Sequence, residues 1–223
     1  VLSWVYLGSV ANLQWSKHDR EYIRDSIALA SDPSQFFATD KLMPGRPTLE
    51  LVLWGWFAVW GDSALAFHLL GIFLHVLCSW LLFVVVRSFG FTYGAALLAS
   101  VFFLIHVGHF RAIHWVSAFC YSIVLLCALA SMLLLRHYEG GKRHEALAAL
   151  YAVGLLGMGA HVSAAFIWPL SLAWLWQQRG GWSRELVQII PLGLLLAACG
   201  WGIRSYYTLA PQHAVLAPSV DLW

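Results

Sequence analysis

The stretch ALAFHLLGIFLHVLCSWLLFVVVR, residues 64–87, contains no Lys, Arg, Asp or Glu until its last position, Arg87. A helix needs about 20 apolar residues to cross the roughly 30 Å hydrocarbon core of a bilayer, so this run predicts a membrane-spanning helix. Apolar runs of similar character occur at about 115–135 and 185–206, with a shorter one at 92–107. The run 146–176 is too long for one ordinary helix and is interrupted by Gly157-Met158-Gly159-Ala160-His161, which predicts two short helices meeting at a tight turn. Residues 1–14 read as the end of a first span. The chain opens at Val1, without Met and inside an apolar stretch, so the earlier part of that span is expected to precede it. Together these make about seven spans, an all-α polytopic membrane protein.

Composition agrees. Hydrophobic residues make up 61% of the 223 positions, only 11% are charged and mean hydropathy is +0.72, against about 45–50% apolar and about 25% charged in soluble domains. Thirteen Trp and eight Tyr suit the two membrane interfaces, and Trp60, Trp115 and Trp182 sit beside the ends of apolar runs. The net charge of +2 comes without any Lys/Arg run that would track a phosphate backbone, which sets nucleic acid aside. Cys78, Cys120, Cys127 and Cys199 all lie in apolar runs without a C-x-x-C spacing, so they read as packing residues rather than disulfide or zinc ligands.

The polar segment 16–46 contains HDREYIRDSIALA (18–30), whose Tyr22, Ile23, Ile27 and Ala30 form a stripe suited to a helix resting on the membrane surface. Residues 47–61, opened by Pro47 and closed by Gly61-Asp62, are too short for an ordinary span and fit a re-entrant or interfacial helix. If that helix does not cross, Arg87, the loop with Arg136, Lys142 and Arg143, and the loop with Arg179 and Arg184 share one side, which the positive-inside rule makes cytoplasmic. The chain then divides into the end of a first span (1–15), an outer-face loop (16–63), a transmembrane bundle (64–206) and an outer-face tail (207–223). His18, His106, His109, His114, His161 and His213 fall on that outer face, while His68 and His75 open the span beneath it. The non-cytoplasmic surface is therefore the expected site.

Arg46-Pro47, Gly61, Phe67-His68-Leu69, His75, Phe102 and the string His106-Val107-Gly108-His109-Phe110-Arg111-Ala112-Ile113-His114-Trp115 follow one another in a distinctive order. This order resembles the transmembrane O-mannosyltransferases with tetratricopeptide repeats, and more broadly the GT-C glycosyltransferases, including protein O-mannosyltransferases. Val107 stands where that group usually has Pro, Arg111 where it usually has an acid, and His161-Val162-Ser163 where it usually has a charged pair. The resemblance implies a GT-C-like bundle in a bacterial inner membrane or an endoplasmic-reticulum-type membrane. It also implies transfer of a sugar from a polyprenyl-phosphate carrier to a hydroxyl acceptor outside the cytoplasm, with a catalytic carboxylate in the first outer loop. The matching position is Asp19, with Glu21 as second choice.

A carboxylate suits that chemistry because the acceptor hydroxyl must lose a proton as it attacks the anomeric carbon, and a positioned base contributes about 10²–10⁴-fold. The alternative for Asp19 is an acid at a helix N-terminus, stabilised by the dipole and Arg20. Arg46 at the helix start can hold a phosphate, or snorkel to lipid headgroups. His68, His106, His109, Arg111, His114 and His161 complete the expected lipid-phosphate and substrate contacts. Spacings of 3 and 5 keep His106, His109 and His114 off one helical face, so a zinc site would need a turn around Gly108. Hydrogen bonding to loop carbonyls or a lipid phosphate is the expected use, a divalent metal the alternative. Besides membrane lipids and the lipid-linked sugar, other membrane subunits are the partners to consider, because a non-catalytic accessory subunit on the same scaffold is the competing function.

Overall fold

The computed structural model describes residues 17–37, 46–139, 143–179, 181 and 184–209; the expected first-span end at 1–15, Trp182, and most of the expected tail, with His213, lie outside the described residues. Every regular element among the described residues is helical. In order they are α1 (Lys17–Ser31), α2 (Pro47–Trp60), α3 (Ala64–Ser88), α4 (Tyr93–Ile105), α5 (Phe110–His114), α6 (Phe119–Glu139), α7 (Arg143–Ala160), α8 (Ile167–Arg179) and α9 (Arg184–Leu209). Short 3₁₀ segments, Pro33–Phe37, Val107–His109, Val116–Ala118 and Val162–Phe166, lie between them.

The boundaries follow local chemistry. Pro47 occupies the first helical position of α2, where its missing N–H is not needed, and Gly61 ends that helix at φ 61°, its N–H donating to the Phe57 carbonyl at 2.8 Å. Ser63 caps α3 and Thr92 caps α4 through side-chain oxygens that accept from Ala66 and Ala95 N–H. Two stretches, Ala64–Ser88 and Val116–Tyr138, are long and apolar enough to cross a membrane. The 92–107 run is cut to a 13-residue helix by the Thr92 cap and the turn at His106, and the 146–176 run divides after Ala160 into α7 and α8. Of about seven expected spans, two among the described residues reach spanning length and apolarity.

Chain direction is fixed by contacts at the two ends of the bundle. Arg136 donates to the Ser88 carbonyl at 3.1 Å and Phe89 meets Trp174 at 4.5 Å, so the C-terminal ends of α3 and α6 come together near the second half of α8. At the opposite end lie the starts of α3, α6 and α8 and the end of α7. One core cluster, with Phe67, Leu70, Phe119, Ile123 and Ala160, fills this second end beneath α1 and α2; a second, with Leu135, Leu150, Leu175, Ile189 and Leu192, fills the Arg136 end.

α2 lies across the second of these ends rather than alongside the bundle. Its first turn packs Thr48 on Gly159 at the end of α7, and its third turn sends the Trp56 indole N–H to the Ala66 carbonyl, 3.0 Å away in the first turn of α3. Leu49 and Leu53 are buried between.

The stripe expected on α1 is corrected. Tyr22 and Ile23 are buried, but Ile27 is 44% exposed and Ala30 is exposed, and the buried face continues instead through Asp19, Ser26 and Leu29. This face packs on α2 and on the turn at 116–118. Its polar groups are satisfied there: Ser26 donates to the Tyr22 carbonyl one turn back in α1, and Asp19 accepts the Val116 N–H from the neighbouring turn.

Candidate functional site

The segment from Ile113 to Cys120, between α5 and the first turn of α6, is where the expected site residues gather. Asp19, in the first turn of α1, is 2% exposed, and its Oδ1 accepts the Val116 N–H at 3.1 Å across 97 residues of sequence. Arg46, at the N-cap of α2, is half-buried and donates through Nη1 to the Ser117 carbonyl at 3.2 Å and to Cys120 Sγ at 3.4 Å. Its remaining guanidinium N–H groups have no protein acceptor among the described residues. Asp19 and Arg46 thus grip consecutive residues, 116 and 117, of one turn.

His161, the residue at which α7 breaks, lies near enough to Arg46 to feel its charge. Its Nδ1 accepts the Ser163 N–H at 3.2 Å and lies 2.9 Å from Ser163 Oγ, so the neutral ring carries its proton on Nε2. Its ring is 4.9 Å from that of Tyr121. Burial, and secondarily the Arg46 charge, hold its pKa below the usual imidazole value. Gly159 permits this arrangement: a side chain there would collide with Thr48 Oγ1, displacing the α2 N-terminus that carries Arg46.

Five of the histidines fall into two groups of neighbours. His68 and His114 are both buried, with ring centroids 6.4 Å apart, and His114 also packs on Phe110 at 4.2 Å. Burial first, then the charge on His68, lowers the His114 pKa. The close approach of Gly71 to the Ile113 carbonyl and the Phe119 ring brings these two histidines together.

His106 and His109 go elsewhere. The turn around Gly108 does form, capped by His106 Nδ1 accepting the Gly108 N–H at 3.1 Å. It directs His109 to within 5.1 Å of His75 and 5.5 Å of His106, with Phe103 against His109 and Phe102 against His106. His75 Nε2 donates to the Leu104 carbonyl at 3.1 Å. The three-histidine zinc arrangement is therefore not formed, and no group of three His, Cys, Asp or Glu among the described residues can hold a metal. The side chains of Glu21 and Arg111 lie outside the described residues.

Sequence reading missed Tyr22, Cys120, Tyr121 and Ser163 as neighbours of the site. Tyr22 was within reach, since it follows Asp19 by three residues and so shares its helix face. It is 5% exposed, and burial pushes its hydroxyl up to about 12, with the Arg46 charge opposing and Cys120, Asp19 and Asp25 reinforcing. The other three reach the site through the fold and carry no local signal.

Chemically, the arrangement offers a guanidinium with spare N–H donors, an imidazole Nε2–H beside it, a buried carboxylate and a buried histidine pair. Comparison with family models, curated proteins and solved structures gives no significant match.

Proposed function

We propose that this protein is a GT-C-type membrane glycosyltransferase that transfers a sugar from a polyprenyl-phosphate carrier to a hydroxyl acceptor on the non-cytoplasmic face. In this reading α3, α4, α6, α7, α8 and α9, with the N-terminal apolar run, form about seven spans. α1 and α2 cover the outer end, and Arg87 and Arg136 mark the cytoplasmic one. The observation that carries it is the position of Arg46 at a helix N-terminus, with uncommitted N–H donors and His161 beside it. A guanidinium, a second N–H donor and a helix start are what a lipid-linked phosphate needs. Asp19, on the same turn, is the carboxylate assigned to take the acceptor proton.

A second reading is favoured by one observation. Asp19 is buried and already accepts the Val116 N–H, as a residue that fastens α1 to the bundle would be. On that reading the chain is a non-catalytic subunit of a larger membrane complex with a GT-C-like scaffold.

Asp19→Asn separates the two, because the amide oxygen can still accept from Val116 while the base is lost. For the enzyme, the variant purifies folded and sugar transfer from a polyprenyl-phosphate donor falls by about 10²-fold or more. Retained turnover removes Asp19 from the chemistry. Wild-type protein that emerges only in fixed ratio within a larger assembly, without transfer activity, establishes the scaffold.

A further inference from the structure

Between α1 and α2 lies a cavity of about 20 Å³, walled by Tyr22, Asp25 and Ser26 from one helix and Arg46 and Glu50 from the other, with leucines closing its apolar side. One water needs only about 10–15 Å³ measured this way, together with two to four polar partners. The cavity is too small for a sugar, a phosphate or a lipid chain.

Of the lining residues, Tyr22 carries the most demanding polar group, its hydroxyl. That side chain is 5% exposed, and its oxygen is shielded from solvent with no hydrogen-bond partner among the described residues. The hydroxyl stays protonated at every working pH, its pKa having been pushed up to about 12 by burial. Leaving such a donor unmet costs far more than a made hydrogen bond returns, so native structures rarely tolerate it. Asp25 and Glu50 line the same cavity, and a carboxylate has several lone-pair sites, so that Glu50 can accept from a further donor whatever else it contacts.

We infer that this cavity binds one ordered water, which accepts a hydrogen bond from the Tyr22 hydroxyl and donates to the Glu50 carboxylate, fastening α1 to the first turn of α2. A metal cation is the poorer occupant, because the Arg46 guanidinium forms part of the same wall and no metal-sized cluster of ligands converges there among the described residues. The water fixes the register of the helix bearing Asp19 against the helix start bearing Arg46. It is independent of whether the protein transfers sugars.

The sign of one stability change tests this. In full-length protein in detergent, Tyr22→Phe takes a partner from the bound water, and the thermal midpoint is expected to fall by about 2–4 °C. In a dry cavity the same change removes an unmet hydroxyl, and an unchanged or raised midpoint overturns the proposal. A density map of the wild type that resolves ordered waters gives the second readout: a peak about 2.5–3.0 Å from Tyr22 Oη is expected. Its absence refutes the site even where the variant fails to fold.

Discussion

Gly71→Ala, read against Gly55→Ala, tests the packing that assembles the site. In mid-helix, replacing Gly by Ala gains about 0.5–1 kcal/mol from backbone entropy when nothing opposes it. Gly55 in α2 is such a position, with nothing within 4 Å of the point a methyl would occupy. At Gly71 a methyl would overlap the Ile113 carbonyl oxygen and stand 2.6 Å from Phe119 Cε1. A carbonyl oxygen belongs to the backbone and cannot rotate aside, and Phe119 is fully buried, so α3 must move away from α5. Overpacking of this kind costs about 1–3 kcal/mol, at the upper end where backbone must shift. The net loss is about 1–2 kcal/mol, or about 2–8 °C in thermal midpoint at about 2–4 °C per kcal/mol for a chain of this size. Gly55→Ala is expected to raise the midpoint by about 1–4 °C. Scanning fluorimetry of the two variants in one detergent gives the comparison. Equal shifts, or a stabilised Gly71→Ala, would mean that α3 does not approach Ile113 and that His68 and His114 are not neighbours.

Arg46→Lys keeps the charge but loses the planar guanidinium, whose Nη1 reaches Ser117 and Cys120 while its other N–H groups remain for an anion; under the proposed function, affinity for a polyprenyl-phosphate lipid falls at least about tenfold, about 1.4 kcal/mol, by direct binding measurement. Unchanged affinity removes Arg46 from the phosphate site. His109, His114 and His161 all have pKa values held below 6.5, chiefly by burial. As pH falls below 6.5 the unfolded chain takes up protons first, so the stability these residues contribute is complete above 6.5 and is lost as pH drops through the folded values. Thermal midpoints measured at descending pH should fall, with a shallower slope in His114→Gln; stabilisation on acidification contradicts the burial of these rings. For topology, single cysteines at the exposed Val107 and Val162 should label from the non-cytoplasmic side, and those at His137 and His144 from the cytoplasmic side, in a Cys199→Ser background that leaves only buried thiols. Labelling of all four from one side would overturn the proposed arrangement of the spans.

Hydropathy made the helical class legible, and local punctuation made several boundaries so. Pro47 and Gly61 bound α2 as their backbone preferences require, and the glycine-rich run before His161 marks the break between α7 and α8. The stripe expected on α1 assumes that the helix rests its most hydrophobic side on the membrane surface. The buried face instead holds Asp19 and Ser26, because the Val116 N–H from a distant turn meets Asp19 and the helix's own Tyr22 carbonyl meets Ser26. The histidines show a different limit. Spacing along the chain indicates that His106, His109 and His114 cannot share one helical face, yet nothing in it indicates that His114 will pair with His68 and His109 with His75. Those pairings depend on Gly71 letting α3 approach Ile113 and on the turn around Gly108, both set by contacts between distant segments.

The turn from Ile113 to Cys120 ties these elements together. α3 reaches it through Gly71 at Ile113, α1 through Asp19 at Val116, and α2 through Arg46 at Ser117 and Cys120, while Phe119 anchors it in the core. Three helices are thus registered against one short segment. An enzyme benefits from such a hub because its base and its phosphate donor group are then held by neighbouring backbone atoms, and small misplacements are costly to rate. A scaffold benefits because a buried carboxylate that accepts a backbone N–H fixes one geometry. Both uses need Asp19 and Arg46 in the places found. They part on what each side chain has left over: Arg46 keeps donors that no group among the described residues accepts, whereas Asp19 is enclosed. The unspent capacity lies on the cation, so anion binding at Arg46 is the property on which the assignment of function turns.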